Sequence, residues 1–182
     1  MTERKLGSHE KEFTTQAQER LRESGFVILQ LQGESIISLK QKGIPFWSEW
    51  HDDEKEELLK SKRSMVAVRP DNLFIPGSNV RMSERQELVK QYDATIAKID
   101  PTLQGTLGSP YDYLDLAYQY RKETGRDLFR QHGNIQFAAT TKTYKKNLLF
   151  VGQSFTGAYV MSYRENKAST TDVYVMPLVF PK

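Results

Sequence analysis

Residues 109–125 read SPYDYLDLAYQYRKETG, and from residue 135 onward the pattern is of a different kind. Ser109 stands where a helix N-cap belongs, Pro110 suits the first helical position, and Asp112 and Asp115 lie early in the helix. The predicted helix runs through Tyr111, Leu114, Tyr118 and Arg121 to Gly125. From about Ile135 the period falls to two, with Ile135, Phe137, Ala139, Thr141 and Thr143 alternating with their neighbours. Residues 148–155 and 158–164 read as strands around a Thr156-Gly157 hairpin turn. Residues 172–180 read as a last strand, and Pro177, which has no N–H, puts it at a sheet edge or breaks it.

Upstream, helices and isolated strands alternate. Phe13, Ala17 and Leu21 recur every four residues in a helix over 8–24, with Gly25 as its left-handed stop. Its narrow apolar stripe suits a peripheral N-terminal helix within residues 1–24. Residues 26–31 (FVILQL) and 64–69 (SMVAVR) read as strands, the second stopped by Pro70. Residues 35–41 give one or two helical turns ended by Gly43 and Pro45. The acidic run after FWSEW suggests a helix over 52–61, its first turn complementing the macrodipole. Ser83 and Gln86 form a capping-box pattern for a helix carrying Leu88, Val89, Tyr92, Ile96 and Ile99. The expected fold is α+β: N-terminal helices with short strands, then a C-terminal antiparallel β-meander packed against helices.

At 182 residues the chain has the size of one domain, so residues 1–182 are taken as a single unit. The hydrophobic fraction of 38% and charged fraction of 27% are those of an ordinary globular protein. No apolar run is long enough to span a bilayer, and the N-terminal residues lack the apolar core of a secretory signal. The absence of cysteine excludes disulfides, thiolate nucleophiles and Cys-ligated metal sites. A cytoplasmic location follows as the expectation. Residues 109–182 carry 10 of the 26 Lys/Arg but only 6 of the 23 Asp/Glu. That bias is too mild for a committed nucleic-acid binder.

Motifs of known chemistry are missing. His9, His51 and His132 are far apart, and His51-Asp52-Asp53 splay around a helix too widely to share one ion. No metal site or cofactor is expected. Residues 152–157 (GQSFTG) lack nucleophile-elbow spacing and read as a hairpin. Tyr111, Tyr113, Tyr118 and Tyr120 read as core and boundary packing rather than a base-stacking surface. Lys142, Lys145 and Lys146 beside Tyr144 read as a solvated hairpin end.

The stretch at 68–79, VRPDNLFIPGSN, is less ordinary. It sets Leu73, Phe74 and Ile75 among turn formers, either to plug the protein's own core or to rim a binding site. Phe74 is expected to be mostly buried, with the loop folded onto the helix near Ser83. Asn79 and Arg81 before that helix make a candidate anion site, to which His132 and Arg164 are added as candidate ligand-binding residues.

The segment PDNLFIPGSN followed by SERQELVKQY resembles a bacterial family known only as a domain of unknown function. DYLDLAYQYRKETGRDLF, a Thr-rich strand and VGQSF extend the resemblance over roughly residues 60–180. It implies shared architecture around the PGSN loop and brings no activity, substrate or catalytic residue. Three functional readings therefore stand. The first is a binding or interaction protein with a groove for an unknown small molecule or protein. The second is an enzyme on a small anionic substrate using Arg81, Asn79 and His132. The third is a weak nucleic-acid binder.

Overall fold

The computed structural model describes residues 11–44, 46–48, 58–78, 82–130, 137–144, 147–154, 157–163 and 173–182. The class is α+β. The elements are α1 (Thr15–Glu23), β1 (Val27–Gln32), α2 (Ile36–Gln41), β2 (Phe46–Ser48), β3 (Arg63–Val68), α3 (Met82–Ile99), β4 (Leu103–Thr106) and α4 (Pro110–Thr124), followed by β5 (Phe137–Tyr144), β6 (Asn147–Ser154), β7 (Gly157–Tyr163), β8 (Val173–Tyr174) and β9 (Leu178–Pro181). One antiparallel sheet has the order β1-β3-β9-β4, and a second, mixed sheet has the order β2-β7-β6-β5-β8.

The first sheet is buried on both faces, and its period of two assigns each side chain to one of two cores. Leu29, Leu31, Val66, Val68, Leu178 and Phe180 face the larger core. Their neighbours Ile28, Met65, Ala67 and Val179 face a second core with Phe13, Ala17 and Leu21 of the N-terminal segment and Ile96 of α3. Double-sided burial is why β1 reads as a nearly continuous apolar run. The larger core also takes Ala138, Leu149, Val151 and Val160 from the second sheet.

Helix α4 lies between the sheets and is buried on most of its circumference, at Tyr111, Tyr113, Leu114, Leu116 and Tyr120 among others. Its ends are set locally. Ser109 and Asp112 form a capping box, Pro110 occupies the first turn, and Gly125 closes the helix at φ 70°, a left-handed conformation that favours glycine. At the β5–β6 irregularity between Ala139 and Thr143, the Thr141 N–H leaves the ladder and donates to the Gly108 carbonyl at 3.0 Å. The bulge thereby ties the second sheet to the start of α4.

Several elements differ from the sequence reading. Helix α1 starts at Thr15, with Thr14 as N-cap, because the preceding chain is extended: Lys11 bridges Ser64 of β3. The expected helix over 52–61 lies mostly outside the described residues. Its last residues are not helical, since Lys60 bridges Ser35 and the Ser61 N–H donates to the Glu34 carbonyl. Helix α3 begins at Met82, so Ser83 lies inside it rather than at its N-cap.

The expected strand over 172–180 divides. β8 pairs parallel with β5 in the second sheet, Val175–Pro177 cross over, and β9 inserts between β3 and β4 in the first. Pro177 stands at the switch, where a ladder donor would be needed to continue. The meander is therefore β5-β6-β7, with the chain's last strand central in the other sheet.

Candidate functional site

The loop at 69–78 holds that crossover. Ile75 N–H donates to the Val175 carbonyl at 2.9 Å, and the Val175 N–H donates to Ser78 Oγ at 2.9 Å. Ser78 Oγ in turn donates to the Ile75 carbonyl at 2.5 Å. The buried apolar anchor is Leu73, whereas Phe74 is half-buried and tilted against Tyr174 with ring centroids 5.9 Å apart. The loop thus plugs its own core with one residue and leaves the next partly free, which answers both halves of the question its sequence raises.

Beside the loop is a cleft of about 120 Å³. Its apolar walls are Val68, Leu73, Phe74, Ile75 and the two prolines Pro76 and Pro177, and its polar lining is Arg69, Asn72 and Tyr92. Arg69 directly follows β3, so its position is set by the end of that strand. Its Nη2 donates to the Ser24 carbonyl at 2.7 Å, and its guanidinium lies 4.8 Å from the centroid of the Phe26 ring. Those contacts use one nitrogen and one face. Nε of Arg69 is buried without a hydrogen-bond partner.

Tyr92 comes from α3, and Gly105 of β4 lets its ring approach. A Cβ at Gly105 would lie 2.6 Å from Tyr92 Cδ1. Burial pushes the Tyr92 phenol up to about 12, and the positive charge of Arg69 opposes this only in part. The hydroxyl is a neutral donor at physiological pH. A folded pKa above the unfolded value of about 10 contributes stability that is complete below pH ~10 and lost as pH rises through ~12. Burial raises Tyr113 in the same direction. Stability is therefore expected to fall progressively above pH ~10, less steeply in Tyr92→Phe. A Tyr92→Phe protein with the wild-type alkaline profile contradicts this placement of the phenol.

The buried carboxylates of α4 are already committed within the protein. Asp112 Oδ1 accepts from the Lys62 N–H at 2.9 Å, and Oδ2 accepts from the N–H and hydroxyl of Ser109, each at 2.8 Å. Asp115 Oδ2 accepts from the N–H groups of Gln32 (2.8 Å) and Glu34 (3.3 Å) and from Ser61 Oγ (2.5 Å). Its Oδ1 accepts from Gln119 Nε2 at 2.8 Å. These two side chains staple the end of β1 and the start of β3 onto α4. Their oxygens are occupied by structural donors.

The residues singled out from sequence, Asn79, Arg81, His132 and Arg164, lie outside the described residues. So do His9, His51, Lys145 and Lys146. Among the described residues no group of three or more His, Asp or Glu is placed to hold a metal ion, and no helix is long and apolar enough to cross a membrane. No family model, curated protein or solved structure matches this chain. Sequence reasoning singled out the loop that forms one wall but missed Arg69, Asn72, Tyr92 and Pro177, which only the fold assembles. The one local signal was an arginine directly before the Pro-bounded loop.

Proposed function

We propose that the protein is a binding module whose cleft between the 69–76 loop and α3 receives a small ligand with an apolar body. The observation that supports this is the cleft's composition, apolar walls with a few polar groups, which is the usual make-up of a ligand site. Its size favours a compact molecule. Sites for drug-sized ligands and cofactors run to about 300–1,000 Å³. The cleft supports the binding reading, while Asn79, Arg81 and His132 of the enzyme reading lie outside the described residues.

The test is a set of compact cyclic and branched fragments, neutral and charged, titrated while ¹H–¹⁵N shifts are followed. Fragments that bind are expected to move the amides of Leu73, Ile75 and Tyr92. Asn72 is exposed and lines the cleft. Asn72→Trp should fill the space and abolish those shifts while changing stability by no more than about 0.5 kcal/mol. Shifts that survive in Asn72→Trp, or a fragment set that leaves these amides unmoved, would remove the cleft as the binding site.

A further inference from the structure

Two polar residues lining the cleft, Arg69 and Tyr92, keep hydrogen-bonding capacity that no described residue uses. Arg69 Nε is a buried donor without an acceptor. Nε is closed to solvent, so a molecule in the cleft would meet the guanidinium through Nη1, which has no hydrogen-bond partner among the described residues. Arg69 also has no carboxylate partner among the described residues. The Tyr92 hydroxyl, in the same lining, has no hydrogen-bond partner among the described residues. The same cleft is lined by the apolar Leu73, Phe74, Ile75 and Pro177.

We propose that the ligand is a compact monocarboxylate, its carboxylate bound by Arg69 and Tyr92 and its branched or cyclic hydrocarbon set against Leu73, Phe74 and Ile75. The inference rests on the binding reading above and gives it a ligand class. A planar carboxylate matches the in-plane donors of a guanidinium, and one negative charge matches one unpaired cation. A phosphate dianion would leave charge uncompensated among mostly apolar walls. The volume of about 120 Å³ is close to the ~150 Å³ known to accommodate a benzene ring. That limits the body to about four to six carbons, or a single ring.

The experiment compares isovalerate and benzoate with isovaleramide and benzamide, which keep the shape and lose the charge. Binding is read from the Ile75 and Tyr92 amide shifts of the full chain. Dissociation constants near ~1 mM are expected for the acids, with the amides at least ~10-fold weaker. Arg69→Met should erase the acids' advantage. Because Arg69 also bonds Ser24, the acid–amide comparison on the unaltered protein stands as a test that needs no variant. Equal binding of acid and amide, lost in Asn72→Trp, overturns the carboxylate class and leaves the binding reading intact. Acid binding that Asn72→Trp does not affect puts the anion site elsewhere and overturns the proposal. No binding of acid or amide at tenfold the expected constant also overturns it, while binding of other fragments in the cleft would keep the general reading alive.

Discussion

Asp115→Ala is expected to lower the unfolding free energy by about 4 kcal/mol. The substitution strands donors from four residues, the N–H groups of Gln32 and Glu34, the Ser61 hydroxyl and the Gln119 amide. Hydrogen bonds to a charged acceptor contribute about 1.5–3 kcal/mol each, and buried donors left unmet carry a desolvation cost of about 1–3 kcal/mol. These do not add fully, because the junction can relax and admit water. Against a total stability of about 5–15 kcal/mol the loss is large. Asp115→Asn separates charge from geometry. Its remaining oxygen can keep the two backbone N–H groups, and its amide can donate to a flipped Gln119, so about half the loss is expected. Urea midpoints of the two variants check this. Equal and small losses would mean that the two strand ends are held without the carboxylate.

Leu73→Ala is expected to cost about 3 kcal/mol, within the 2–5 kcal/mol range for truncating a buried leucine. Leu73 is 8% exposed and belongs to the larger core, whereas Phe74 is only half-buried against that core. Phe74→Ala should therefore cost less than Leu73→Ala, despite the larger side chain removed. The same comparison reports on the crossover, because the loop's hydrogen bonds hold Val175 between the two sheets. A reversed ranking of the two truncations would identify Phe74, not Leu73, as the loop's anchor.

What was legible in the sequence was local. Ser109, Pro110, Asp112 and Gly125 set the ends of α4 through contacts within a few residues, and these were read correctly. β1 and β3 announce themselves as apolar runs because both faces of their sheet are buried. The acidic run at 52–61 read as helix, but at its described end Lys60 and Ser61 pair with Ser35 and Glu34, contacts that no local pattern carries. Asp112 and Asp115 looked like helix-start charges. Their further partners lie 50 to 83 residues away in the chain. Pro177 signalled a break but not that the strand beyond it joins another sheet. The cleft was the least legible feature, since Arg69, Tyr92 and Pro177 meet only after both the crossover and α3 are in place.

The most direct test of the central claim is a crystal structure of the full chain with isovalerate at saturating concentration. The acid is expected between Tyr92 and the 72–76 loop, with a carboxylate oxygen about 2.7–2.9 Å from Nη1 of the Arg69 guanidinium. A cleft filled by the protein's own side chains, with Arg69 Nη1 bonded to an acceptor from this chain, would contradict it.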